Sequence, residues 1–563
     1  MLAPCFANGY ETSTDKVCTL GMSVSVSNLP ISRRDGAAAD VADIGAAASL
    51  VDVSRAEVRI AQPLRRRNAA TQAARLSILY ISDSLGSPTH PRGIFNYSLS
   101  LVEMLKSLGA TVDLVVEGSM HFSLEGRFGS MLDSAPEAVN SVRLSEIHRY
   151  FDAGHFGFRW DFPKAGIGAL GRRARRLLSF WLTLRDRLGL RPSVRVRNDP
   201  REIDFTPEKS EHLNLFDNLL VKRDFYSSSM SRANLGLPAP AIDASGYDLA
   251  IVDTPHFIKL KGIAPERILT VLHDLIPLRD PTMEAHWRAL FMRKLEATLA
   301  MRGHLVFVSR CTQDSFHAAF PRHPGSGEYV FYPAVRRRLR DDARFGAGDV
   351  ASLWAQAAGR AAEQRGLTPR QRRKLNGEAS GGPLPASFDA TLPYFVTATS
   401  DEPRKNIATL AQAFGRHLRG RANVVILGRM KAARADPQGH ANVYFPGYVS
   451  DAEKIAYLSG AYGLVFPSLS EGFGIPIIEG AAFGLPVVCS DIEVFREVAG
   501  DDAFFFAPQT PASLARAVED ALADPQLARE RAAALRRSVM ARFSQEAVSQ
   551  SVRAALADLG FGD

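Results

Sequence analysis

Leu464-Val-Phe-Pro-Ser-Leu-Ser-Glu-Gly-Phe-Gly-Ile-Pro-Ile-Ile-Glu-Gly480 reads as a strand, a glycine turn and a helix in direct succession. Leu464 to Phe466 is a short apolar run of strand type, and a helix begins near Pro476 and ends at Gly484. Pro476 suits a first helical turn, where the missing N–H costs little. Gly472 and Gly474 leave the backbone bare of Cβ atoms, so N–H groups at the helix start can come close to an anion. The motif therefore sits where a strand ends and a helix begins, the edge at which open parallel sheets bind ligands. A helix terminus favours an anion by only about 0.3 to 1 kcal/mol, up to ~2 when partly buried, so a bound ligand needs further partners.

Working outward, the surrounding segment repeats the alternation. Tyr394 to Thr397, Val424 to Leu427 and Val487-Val488 are strand-like, Ile407, Leu410, Phe414 and Leu418 mark a helix, and Ser450-Asp-Ala-Glu453 is a capping box. At the end of the first of these strands stands Glu402-Pro-Arg-Lys-Asn406. Arg404 forks two oxygens and Lys405 adds a point charge, a combination suited to a diphosphate. The plainer reading makes Asn406 a helix N-cap and the two cations a solvated face. Their position on the same sheet edge as the glycine turn favours a site. Because a carboxylate beside a diphosphate is repelled, Glu471 and Glu479 are expected to meet hydroxyls instead; for Glu479 an ordinary first-turn glutamate is the alternative.

A second α/β pattern precedes this one. Leu76 to Ile81, Val112 to Val116, Tyr247 to Val252, Ile268 to Leu272, Leu305 to Val308 and Tyr329 to Tyr332 are strand-like, and helices are expected around 94–108, 287–299 and 312–320. Arg92-Gly93 precedes the first helix, with a simple turn residue the plainer reading of Gly93, and His273-Asp274 follows the strand ending at Leu272, where the histidine either binds a sugar hydroxyl or phosphate or satisfies a neighbouring carbonyl. From 118 to 244 the pattern blurs. The expected organisation is a poorly ordered extension over 1–74, a Rossmann-like domain over 75–335, an insert or linker over 336–391 and a second Rossmann-like domain over 392–545. Residues 546–563 are expected to form a C-terminal helix that crosses back to the first domain.

The chain has 563 residues, too many for one ordinary core, with 46% hydrophobic and 23% charged residues. No run of about 18 uninterrupted apolar residues predicts a membrane span, and no secretory signal is expected at the N-terminus. Cys5, Cys18, Cys311 and Cys489 form no C-x-x-C pair, which argues against a disulfide framework or a zinc site and makes a reducing cytoplasm the default. The net charge of +8 suits acidic partners without choosing among them.

Together these residues are recognisable. Glu471-Gly-Phe-Gly-Ile-Pro-Ile-Ile-Glu479 followed by Gly484-x-Pro486-Val-Val resembles the E-x7-E signature of glycosyltransferase family 4, retaining sugar-nucleotide enzymes of the GT-B fold. The resemblance extends to Glu402–Asn406, Phe445-Pro-Gly-Tyr-Val449, His273-Asp-Leu-Ile-Pro277, Val308-Ser-Arg310 and Tyr332-Pro-Ala-Val335, in the family's order. It implies two Rossmann-like domains facing a cleft. Glu479 would bind the nucleotide ribose and Glu471 the transferred sugar. The backbone of Gly472, Phe473 and Gly474 with Arg404 and Lys405 would hold the pyrophosphate, and Gly447, Tyr448 and Val449 would line the base pocket. His273 would contact the donor sugar, and Gly93 would pass close to the phosphate or acceptor. In such enzymes the positive groups aid departure of the leaving group and the donor phosphate takes the acceptor proton, so neither glutamate is a nucleophile. One departure matters: many relatives carry an arginine five residues before the lysine, where this chain has Ser400. The resemblance implies no cofactor and no metal, and no D-x-D sequence is present to hold Mg²⁺.

The expected function is thus transfer of a hexose, with mannose the named candidate, from a nucleotide diphosphate sugar to a glycan or lipid-linked acceptor in surface polysaccharide synthesis. Competing readings are an inactive GT-B binding scaffold and a nucleic-acid-binding protein; no nucleic-acid recognition motif occurs, so no nucleic acid is expected as partner. Gly166-Ile-Gly-Ala-Leu-Gly171 fits G-x-G-x-x-G but follows no clear strand and lacks an acidic residue about 20 positions on. Arg172, Arg173, Arg175, Arg176, Arg185, Arg187 and Arg191 flank Leu177-Leu-Ser-Phe-Trp-Leu182. That segment, 172–191, is either an ordinary packed helix or a dock for an anionic membrane surface, which would place a cytoplasmic enzyme on the inner face of the membrane.

Overall fold

The structure is a computed structural model, and it describes residues 75–87, 92–118, 144–145, 147–149, 151–152, 194–203, 207, 210–223, 225–281, 283–321, 327–336, 389, 391–428, 436, 438–447, 449 and 451–561. The extension 1–74, the G-x-G-x-x-G match at 166–171, the basic segment 172–191, Tyr448 and nearly all of the insert lie outside these residues.

Among the described residues the first half has ten strands: β1 (Ser77–Ile81), β2 (Thr111–Gly118), β3 (Val194–Arg197), β4 (Asn218–Arg223), β5 (Ala241–Asp243), β6 (Leu249–Val252), β7 (Lys259–Lys261), β8 (Ile268–Leu272), β9 (His304–Phe307) and β10 (Glu328–Val330). Eight of them form one sheet in the order β10-β9-β8-β6-β1-β2-β4-β3. Every pairing in it is parallel except that of β3 with β4. The central strands are apolar at successive positions because helices cover both faces: Ile78 and Tyr80 join one buried layer, Leu79 and Ile81 the opposite one.

The second half contains β11 (Tyr394–Ala398), β12 (Asn423–Leu427), β13 (Val443–Gly447), β14 (Gly463–Phe466), β15 (Val487–Ser490) and β16 (Phe504–Phe506). They form a wholly parallel sheet in the order β13-β12-β11-β14-β15-β16. Numbered from β11, this is the order 3-2-1-4-5-6 of a Rossmann sheet, whose direction of winding reverses between β11 and β14. Val396 and Leu464 face one apolar layer while Phe395 and Val465 face the other. The α/β class with two Rossmann-like parallel sheets, as in GT-B, is therefore what the chain adopts.

The halves meet through an aromatic contact and a returning C-terminus. The Tyr332 ring packs 5.9 Å from Phe473 and 5.1 Å from Phe543. The Val335 N–H donates to the carbonyl of Phe543, at the end of helix Pro525–Phe543, at 2.8 Å. Helix Gln545–Leu556 then carries the chain to the edge of the first sheet, where the Tyr329 hydroxyl donates to Asp558 at 2.6 Å.

Two boundary expectations are corrected. The helix expected after Gly93 begins at Arg92, so Gly93 lies in its first turn. Strands β3 and β4 occupy part of the stretch whose sequence pattern blurs, where Lys222 and the arginines at 195, 197 and 223 interrupt the apolar runs.

Candidate active site

Winding reversal opens a crevice between the carboxyl ends of β11 and β14, and both candidate motifs emerge there. The chain leaves β11 through a short 3-10 turn, Pro403–Lys405, and leaves β14 through Pro467 to Gly474 before helix Ile475–Ala482. The two loops are stitched together. The Leu469 N–H donates to the Arg404 carbonyl at 2.7 Å, and Asn406 Nδ2 donates to the Pro467 carbonyl at 3.1 Å. Asn406 adopts the left-handed conformation, φ 56°, and makes no side-chain cap, so the N-cap alternative gives way: its amide is spent on the neighbouring loop.

Arg404 and Lys405 converge on Glu471. Lys405 Nζ donates to Oε1 at 2.6 Å and Arg404 Nη1 to Oε2 at 2.9 Å, while Arg404 Nε reaches Glu402 at 2.9 Å. The repulsion argument sets Glu471 apart from a diphosphate; the structure bonds it to both cations, because the two loops bring opposite charges within hydrogen-bond distance. Burial works against the Arg404 charge, but Glu471, Glu402 and Asp274 outweigh it and hold the guanidinium more firmly protonated than usual. Burial also raises the Asp274 carboxyl, opposed chiefly by Arg404.

His273 and Asp274 thus stand across from the cluster at the end of β8. His273 Nε2 donates to the main-chain carbonyl of Asp253 at 2.8 Å, which leaves Nδ1 as the other ring nitrogen for a ligand, and Tyr97 packs edge-on at 4.9 Å. Asp253 is fully buried at the end of β6 and accepts hydrogen bonds from Tyr80 at 3.1 Å, Ser82 at 2.8 Å and Ser98. The strand-end rule that picked out His273 applies equally to Asp253, which follows an unbroken apolar strand; sequence reading passed over it.

The glycine turn has a role beyond exposing N–H groups. A Cβ on Gly472 would lie 2.0 Å from the His273 carbonyl, so this residue lets the two halves touch. Its own carbonyl accepts from Ser309 Oγ at 2.7 Å and Thr312 Oγ1 at 3.2 Å. Gly474 has φ 115°, a conformation that sets the entry into helix Ile475–Ala482 and strains any other residue. The Phe473 ring is buried between Tyr332 and Phe543, at 5.9 and 5.2 Å, so its side chain is core and only its backbone is left for a ligand.

Glu479 is buried, and both its oxygens accept from Lys454 Nζ, Oε1 at 2.7 Å and Oε2 at 2.6 Å. Lys454 carries no local signal, since it meets Glu479 only through packing of helix Asp451–Ser459 against the site. Gly447 closes β13 with φ 82° and its carbonyl accepts from Gly428 at 2.8 Å, while Val449 beyond it is buried. Gly93 lies in the first turn of helix Arg92–Ser107, and among the described residues nothing lies within 4 Å of where its Cβ would be, so the space beside it is open.

A Rossmann sheet with paired cations and a glycine turn at its switch point is a frame for a phosphorylated ligand. Residues 386–538 match the family model of glycosyl transferases group 1. The group 1 segment runs from just before β11 into helix Pro525–Phe543. Over 148 residues the chain is 35% identical to the serotype-specific mannosyltransferase WbdA of Escherichia coli, covering 24% of this chain and 18% of that protein. Over 118 residues it is 36% identical to the D-rhamnosyltransferase WbpZ of Pseudomonas aeruginosa, covering 20% and 30%. Over 133 residues it is 33% identical to the O-antigen chain mannosyltransferase RfbU of Salmonella typhimurium, covering 23% and 38%. The chain thus spans less than two fifths of the length of each of these curated relatives. Among solved structures, sucrose-phosphate synthase from Thermosynechococcus elongatus aligns with a TM-score of 0.47 at 15% identity, over 86% of this chain and 99% of that one.

Proposed function

We propose that this protein is a retaining glycosyltransferase of family 4 type that moves a hexosyl group, mannosyl as the first candidate, from a nucleotide diphosphate sugar to a glycan or lipid-linked acceptor in surface polysaccharide synthesis. The observation that carries the reading is the convergence of Arg404 and Lys405 on Glu471 at the switch point of the second sheet. The group 1 match and the names of the mannosyl- and rhamnosyltransferase relatives support it.

In this reading the donor diphosphate takes Arg404 and Lys405 over from Glu471, and the two cations stabilise the negative charge that grows as the sugar departs. Glu471, released, faces the sugar hydroxyls, and His273 Nδ1 adds a contact from the other half. The donor phosphate receives the acceptor proton, so no protein nucleophile is used. The reading includes no metal, a cytoplasmic location and docking of 172–191 on anionic membrane.

The test is a screen of purified protein against labelled UDP-, GDP- and ADP-sugars, scoring donor hydrolysis with and without chelator. Turnover of one donor that survives chelation is expected; turnover of none sinks the reading, and loss with chelator sinks its metal-free part. Liposome co-sedimentation that ignores anionic lipid and salt would remove the membrane part alone.

A further inference from the structure

Helix Arg310–Ala319 belongs to the first half, yet its first turn is completed from the second. Ser309 Oγ accepts from the Thr312 N–H at 3.0 Å and the Ser309 carbonyl from Gln313 at 3.2 Å, so the N–H groups of Arg310 and Cys311 must be met from outside the helix. Glu497 meets both. Arg310 donates to Oε1 and Cys311 to Oε2, each at 2.8 Å. A carboxylate across two adjacent amides is charge-assisted, and it stands where the helix dipole favours a negative charge. Because each oxygen has its own donor, the fork fixes the direction of approach as well as the distance.

Glu497 is itself anchored. Arg542 Nη2 donates to its main-chain carbonyl at 2.8 Å, from the end of the helix at which Val335 meets Phe543. Burial, and then the Glu497 charge, raise the Tyr332 hydroxyl above its ordinary range, so the carboxylate also stands close to the ring that packs on Phe473.

The fork seats the glycine turn. Ser309, directly before the two amides, donates to the Gly472 carbonyl at 2.7 Å, and Thr312 Oγ1 reaches the same oxygen at 3.2 Å. Gly472 in turn lies against the His273 carbonyl, and Glu471 beside it holds Arg404 and Lys405. The depth at which the turn sits against His273 is thus set by how helix Arg310–Ala319 is held on the second half.

We infer that Glu497 is a positioning residue: by taking the Arg310 and Cys311 N–H groups across the boundary between the halves, it seats the Gly472 turn against His273, so that sugar transfer depends on it and nucleotide binding does not. The inference rests on the nucleotide-sugar reading above. In that reading the diphosphate is held by the second half alone, whereas transfer also needs His273 from the first.

The experiment compares wild-type full chain with Glu497→Ala and Glu497→Gln by three measurements: amide hydrogen exchange, calorimetry with UDP, GDP and ADP, and turnover of the donor found in the screen. Exchange at Arg310 and Cys311 is expected to quicken about tenfold or more in the Ala variant. The Gln variant keeps the size of the side chain and only one accepting oxygen, so it should fall between, and it decides the matter if the Ala variant fails to fold. Turnover by the Ala variant should drop about tenfold or more, while nucleotide affinity stays within about twofold of wild type. Unchanged exchange, turnover equal to wild type, or nucleotide affinity that falls in step with turnover would each overturn the role of Glu497 and leave the nucleotide-sugar reading standing. A wild-type protein that neither binds a nucleotide nor turns over a donor overturns both.

Discussion

Lys405 Nζ donates to Glu471 Oε1 at 2.6 Å, from a loop 66 residues away in sequence, and the same carboxylate receives Arg404 on its other oxygen. Both cations are thus held in place by that carboxylate, which under the proposed function a donor diphosphate displaces. Lys405→Ala is expected to lower turnover by roughly 10²- to 10³-fold, the scale set by losing one preorganised charge at a leaving group. The thermal midpoint should barely move, since the lysine is partly exposed and Arg404 remains to pair Glu471. Steady-state rates with the donor identified by the screen check this, and wild-type turnover in the variant would remove Lys405 from the machinery.

Glu471→Gln separates affinity from transfer. Removing the negative charge frees Arg404 and Lys405 and relieves repulsion with phosphate oxygens, so the nucleoside diphosphate is expected to bind several-fold more tightly, by about 1 kcal/mol. Transfer should fall at the same time because the amide grips sugar hydroxyls less well. Calorimetry against product nucleotide gives the first quantity and donor turnover the second. A variant that binds product more weakly than wild type contradicts the pairing drawn here.

The contact between the halves predicts a steric effect. Gly472→Ala puts a methyl group 2.0 Å from the His273 carbonyl, an overlap that the backbone on both sides must relieve by moving apart. A loss of about 1 to 3 kcal/mol in stability is expected. Glu497→Ala should weaken the same contact from another side, because Oε1 and Oε2 accept the Arg310 and Cys311 N–H groups at 2.8 Å each and so cap helix Arg310–Ala319. Denaturant unfolding and small-angle scattering of both variants test this; unchanged midpoints and an unchanged radius would show that the contact carries no weight.

His256 sets an acid limit. Burial pushes its imidazole down to about 4, with Asp83 and Asp253 pulling weakly the other way. Between about 6.5 and 4 the unfolded chain takes up a proton that the folded chain refuses, so stability falls as the pH is lowered through that window and is unaffected above it. The shift corresponds to roughly 3 kcal/mol. His256→Gln should flatten the curve of unfolding free energy against pH by about one proton between 4 and 6.5, and an unaltered slope would place the acid sensitivity elsewhere.

The local pieces of this molecule are legible in its sequence because each is decided by neighbours in the chain. Apolar runs of four or five residues with no polar break mark the buried parallel strands, and the glycine pair before Pro476 marks the turn into a helix whatever packs around it. Short or charged strands were not legible: β16 is three phenylalanines, and β4 ends in Lys222 and Arg223, so neither shows a period. Strand order is a tertiary matter, and it alone puts β11 beside β14 and so brings Glu402–Asn406 onto Glu471. The partners of the two glutamates were beyond sequence for the same reason. Lys454 and Glu479 lie on separate helices, and Asp253 reaches His273 only because β6 and β8 are neighbours in the sheet. Residue types and spacing determined which charged groups stand at the strand ends; packing decided which of them face one another, since ion pairs and backbone contacts depend on distances that chain order does not set.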